Sequence, residues 1–71
     1  MEALKKMKYW YAVMIDRDDC DWGYGSFDLV KAMEMQKNYP EGYIAVIDAG
    51  YDEKGNATKE AFCIDEIFPQ E

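Results

Sequence analysis

YWYAVMI, Tyr9 to Ile15, is apolar at every position, and this decides what kind of fold the rest of the chain must build. A strand buried on one side alternates apolar and polar residues, whereas a continuously apolar strand belongs to a sheet covered on both faces. Only one other stretch reads as an amphipathic helix. One face of the sheet is therefore assigned to that helix, and the other needs a different cover, most simply a second copy of the chain.

Outward from this run, punctuation falls at Asp16 to Ser26, Asn38 to Gly42 and Asp52 to Asn56. The first strand is read as Lys8 to Ile15, with MEALKK before it as a helical turn or a frayed end. Ser26 is the expected N-cap, and Asp28 adds negative charge where the helix dipole favours it. Leu29, Val30, Ala32 and Met33 recur at helical spacing as the buried stripe, with Met33 as core filler. Lys31, Glu34, Met35 and Asn38 then point away. Pro40 disfavours helical geometry at Tyr39 and ends the helix, and Gly42 turns the chain back.

Tyr43 to Ile47 reads as a second strand and Thr58 to Ile67 as a third, joined by a hairpin in which Gly55 takes the positive φ of a bulged type I turn. A register pairing Tyr51 with Asn56 puts Tyr43, Ala45, Ile47, Phe62 and Ile64 on one face and Ile44, Val46, Ala61 and Cys63 on the other. The second set is small and aliphatic, which suits the helix, and Tyr11, Val13 and Ile15 join it.

The expected fold is α+β: a single β-α-β-β domain over residues 1–71, with a three-stranded mixed sheet and one helix on one face. The other face, with Trp10, Met14, Tyr43, Ile47, Phe62 and Ile64, is more apolar area than a monomer leaves wet, and it is the expected homodimer interface. The alternative cover is the N-terminal segment with Met1, Leu4 and Met7.

Seventy-one residues make one small domain with a marginal core, so disulfides, a metal or association are the usual supports. The opening MEALKKMK is too polar for a signal peptide, which points to a reducing cytoplasm and to Cys20 and Cys63 as reduced thiols; a bridge between them stays open. With no histidine and two cysteines, a four-ligand zinc site is excluded. No apolar run is long enough to span a membrane. Fifteen acidic against eight basic residues give a net charge of −7, which repels nucleic acid and favours a basic protein partner. No cofactor is expected.

The densest polar stretch is DRDDCDWGYGSFD, Asp16 to Asp28. As an EF-hand loop begun at Asp16 or Asp19 it lacks the glycine at position six and the acid at position twelve. As a phosphate cradle on Gly23 and Gly25 it carries repelling aspartates and no GxGxxG or P-loop pattern. Asp16 and Asp48 end the first two strands; were those strands parallel, the two carboxylates would sit side by side as an acid/base pair. The plainer role is turn formation, which Asp commonly serves. Trp22 and Tyr24 read as a lid over one end of the core or, alternatively, as a protruding contact for a basic partner. Arg17 is expected to pair with a neighbouring aspartate.

WYAVMIDRDDCDWGYGSFDL (Trp10 to Leu29), YIAVID (Tyr43 to Asp48) and CIDEI (Cys63 to Ile67) together resemble a family of short uncharacterised proteins of gut Firmicutes and their mobile elements. The resemblance covers most of the chain from Trp10 onward. It implies a cytoplasmic origin and no assigned activity, so it transfers no site residue. YDEKGNATKEAF before Cys63 departs from it by its length. The expected function is a non-enzymatic protein–protein interaction module that homodimerises through the apolar face. Two alternatives are an acidic inhibitor that imitates nucleic acid and a small ligand-binding or enzymatic domain using Asp16 and Asp48.

Overall fold

The computed structural model describes residues 8–69, and within them the strands are β1 (Trp10–Met14), β2 (Gly25–Ser26), β3 (Tyr43–Asp48) and β4 (Phe62–Ile67), with one helix, α1 (Leu29–Gln36). The sheet order is β2-β1-β3-β4. The expectations placed on Met1, Leu4 and Met7 and on a helical turn in MEALKK fall outside the described residues.

The α+β class and the single helix on one face of the sheet follow the sequence reading. The three-stranded mixed sheet is amended in two ways. A fourth strand, β2, lies along the outer edge of β1, and every neighbouring pair is antiparallel. The chain first folds back through residues 16–24 to set β2 against β1. It then crosses β1 by way of α1 and enters β3 on the other side, so β2 and β3 run parallel to each other without touching. That crossover makes β3 antiparallel to β1.

A Gly-Ser pair carries no strand preference, which hides β2 in the sequence. Its glycine has a steric reason: a Cβ at Gly25 would collide with the carbonyl oxygen of Tyr11. The approach is held by the Val13 amide, which donates to the Tyr24 carbonyl at 2.6 Å.

The N-cap of α1 is Asp28 and not Ser26. The Asp28 carboxylate accepts from the Val30 amide at 3.0 Å, while the Ser26 hydroxyl accepts from the Asp28 amide one step upstream. The buried stripe is also rotated from the expected one. Ala32 and Gln36 are buried and Leu29 and Met35 pack beside them, whereas Val30 and Met33 are exposed. Met33 and Met35 thus exchange their expected places. Both stripes have helical spacing and share Leu29 and Ala32; packing against Val13 and Ile44 of the sheet turns Met35 inward and leaves Val30 and Met33 out.

On the helix side, Val13, Ile44 and Ala32 form a buried cluster with Tyr11, Leu29, Met35, Tyr39 and Ile67 packed around it. The opposite face holds Ala12, Met14, Tyr43, Ala45 and Ile47. α1 lies over β1, β2 and β3 and does not extend over β4.

The link from β3 to β4 is longer than a hairpin. A turn forms at Asp52 to Asn56, with Gly55 at φ 86°. Beyond it the strands do not zip together; the Thr58 and Lys59 amides both donate to the Ala49 carbonyl instead. Pairing begins at Asp48 with Phe62 and shifts register at Val46/Ile47, so that Ile47 faces Cys63 while Val46 faces Asp65. Ile64 is the extra residue of a bulge. Residues paired across strands share a face, so Cys63 leaves the helix side and Phe62 joins it, the reverse of the expected assignment.

Candidate interaction surface

The expected interface residues do not form one surface. Met14 and Ile47 are 1% exposed and Tyr43 is 9% exposed, so the sheet face opposite the helix is interior in the single chain. Among the described residues, Trp10 and Trp22 pack against it. The Trp10 indole N–H donates to the Trp22 carbonyl at 2.6 Å, and Trp10 meets Phe27 edge to face at 4.8 Å, with Tyr51 against Phe27 in turn. At the other end Phe68 stacks on Tyr43 at 5.0 Å, and Arg17 lies 4.7 Å over the Phe68 ring. Arg17 therefore meets an aromatic face, a cation–π contact, instead of the expected aspartate.

Trp22 and Tyr24 are separated by the sheet. Trp22 belongs to the cluster opposite the helix, whereas Tyr24 meets Tyr39 edge to face at 5.9 Å on the helix side. Burial, and then Tyr39 beside it, pushes the Tyr24 hydroxyl above its ordinary pKa.

Asp16 and Asp48 are also apart. Because β1 and β3 are antiparallel, with Trp10 opposite Ile47 and Met14 opposite Tyr43, the two carboxylates lie at opposite ends of the sheet, roughly 20 Å apart at strand rise. Asp16 accepts from the Asp18 amide at 2.9 Å. Asp48 accepts from the Gly50 amide at 2.9 Å and pairs with Lys59 at 3.6 Å. Each closes its own turn, and the proposed acid/base pair is not assembled.

Most of the acidic loop behaves the same way. Asp19 accepts from the amides of Ile15 and Asp21 at 3.0 Å each, and Asp21 from Gly23 at 2.8 Å. Asp52 takes Lys54 and Asn56 at 2.9 Å each. Aspartates here are turn residues that satisfy backbone donors the loops would otherwise leave unpaired. Among the described residues, no group of three or more Cys, Asp and Glu lies where it could hold a metal ion. No helix among them is long and apolar enough to cross a membrane. Cys20 and Cys63 are both free and exposed.

These amide donors pull the carboxyls of Asp19, through Ile15 first, and Asp52, through Asn56 first, below the ordinary carboxylate range. A folded pKa below the unfolded one gives stability that is present above the unfolded value, about 3.9, and is lost as pH falls through the folded pKa. Both groups are expected to titrate below that ordinary value in a carboxyl-detected NMR titration, with loop order lost over the same acid window. Titration at or above it would remove the turn role.

Exposed apolar side chains occur at Ile15, Val30 and Met33, and a further group gathers on and just after β4. Phe62, Ile64 and Phe68 are 47%, 41% and 43% exposed, and among the described residues the strand pairs on one side only. Beside it, Met33 and Gln36 of α1 and its C-cap Lys37 face Ile44, Ile67 and Phe68 across an open, largely apolar groove of about 420 Å³. The groove exists because α1 stops short of β4. Sequence reasoning named Phe62 and Ile64 but missed the groove, whose only sequence signals are the apolar Met33 and Phe68.

No family model, curated protein or solved structure matches the chain.

Proposed function

We propose that the chain is a non-enzymatic protein–protein interaction domain whose contact surface is the β4 edge and the groove beside it. The observation that carries this reading is the β4 edge itself, unpaired on its outer side among the described residues and exposing Phe62 and Ile64 with Phe68 following. An exposed apolar edge strand is a template for another chain, and folded proteins keep such edges short or covered unless they are used. The aspartates support the same reading by being engaged locally. Asp16 and Asp48 serve separate turns, and the loop carboxylates bond backbone amides, which is not the outward array that imitating nucleic acid would require.

The homodimer expected from the sequence drew on a sheet face that the single chain already fills, so association of any kind is referred to β4. The test is retention of cytosolic proteins on immobilised wild-type protein against Phe62→Asp and Ile64→Asp. Both substitutions fall on exposed positions and should leave the circular dichroism spectrum unchanged. A protein held by wild type and reduced about tenfold or more on both variants is expected. Equal retention on all three, or none on any, would sink the reading.

A further inference from the structure

Resting on that reading, we infer that β4 takes an extended basic and apolar segment of a partner protein as a fifth strand of the sheet. An exposed edge accepts an extended chain through main-chain hydrogen bonds, while alternate side chains enter pockets on the sheet faces. The other edge, β2, is two residues long and offers too little backbone for this. At β4 both requirements meet: six residues of edge strand and, on the helix side, a groove large enough for one or two side chains.

Charge selects the occupant. Asp65 and Glu66 are adjacent on β4 and pair with Val46 and Ala45, so they lie on opposite faces of the sheet. Asp65 accepts from the Glu66 amide at 2.8 Å through one oxygen, which leaves its other oxygen for a lysine or arginine on that face of an added strand, and Glu66 serves the other face. The local cations are engaged or set back: Arg17 lies over the Phe68 ring at 4.7 Å. Lys59 is held by Asp48 at 3.6 Å and lies over the Phe62 ring, and Lys37 stands on the far wall of the groove. The chain as a whole carries −7, which steers a basic segment toward it.

The same features oppose a second copy. Full-length antiparallel pairing of β4 with another β4 sets Asp65 opposite Ile64 and Glu66 opposite Cys63, so Asp65 of each copy becomes a diagonal neighbour of Glu66 in the other and no basic residue answers them.

The probe is a fluorescein-labelled octapeptide of strictly alternating lysine and valine, followed by anisotropy on the full chain. Three comparison peptides accompany it: one with glutamate for lysine, one of the same composition with lysines and valines in separate blocks, and one N-methylated at alternate residues. The alternating basic peptide is expected to bind at least about tenfold tighter than each of the three. The double substitution Asp65→Lys/Glu66→Lys is expected to weaken it by a similar factor. Equal binding of the blocked or N-methylated peptide would reduce the effect to charge alone and overturn the inference, as would no binding. A wild-type protein that sediments at twice its 8.3 kDa and returns to monomer on Ile64→Lys would make the occupant a second copy. That result would sink the basic segment while leaving the interaction domain intact, whereas failure of the retention comparison would remove both.

Discussion

Gly42→Ala is expected to leave the chain largely unfolded at 25 °C. Gly42 is buried just before β3, and a Cβ there would overlap the Met14 carbonyl oxygen and reach 3.0 Å from the Met14 and Ile15 carbonyl carbons. These are backbone atoms, so no side-chain rotation relieves the contact. Relief requires β1 and β3 to part at Met14 and Tyr43, and both hydrophobic clusters are built across that pair of strands. Overpacking alone costs about 1–3 kcal/mol, and lost pairing adds to it. A domain this small has little stability in reserve. Gly23→Ala is the control: its Cβ would meet only the Asp21 side chain, at 3.1 Å, in an exposed loop, and the expected change is within about 0.5 kcal/mol. Urea unfolding followed by circular dichroism distinguishes the two. A Gly42→Ala protein with the wild-type midpoint would contradict the close approach of β1 to the start of β3.

The elements that the sequence makes legible are those whose residues carry their own signal. Tyr9 to Ile15 and Tyr43 to Ile47 are continuous runs of strand formers, and the helix between them is bracketed by a polar Ser26/Asp28 start, at which the sequence favours Ser26 and the structure uses Asp28, and by Pro40. Where two local solutions tie, the sequence does not choose. Leu29 begins both a Val30/Met33 stripe and a Met35/Gln36 stripe, and only the sheet beneath Ala32 decides between them. The β4 register is similar, because it depends on how residues 49–61 close. The bonds from Thr58 and Lys59 to Ala49 set that closure, together with a bulge that flips Cys63 against Phe62.

The candidate surface was half legible for a related reason. Counting apolar residues found a second apolar face that is buried, but among the described residues the side chains packed on it include Trp22, from an acidic loop, and Phe68, beyond β4 and over Tyr43. Both are distant in sequence from what they cover. With that face buried, Phe62 and Ile64 of β4 are left exposed at the sheet edge, as Val30 and Met33 are on the outer side of α1.

Ile47→Ala and Met14→Ala measure the burial of that face directly. Both side chains are 1% exposed in the single chain and sit in the cluster with Ala12, Tyr43 and Ala45. Truncating a fully buried Ile or Met to Ala removes its transfer free energy and leaves a cavity, at about 2–5 kcal/mol. Ile64→Ala, on the exposed edge, is expected to cost less than about 1 kcal/mol. If the opposite face were instead buried by a second copy, the apparent stability would rise with protein concentration, since binding to the folded state alone stabilises by mass action. For a face filled within the chain, the unfolding midpoints of wild type and Ile47→Ala should each stay fixed over about a hundredfold range of concentration. A midpoint that climbs with concentration in wild type and no longer does so in Ile47→Ala would return the interface to the sheet face and remove it from β4.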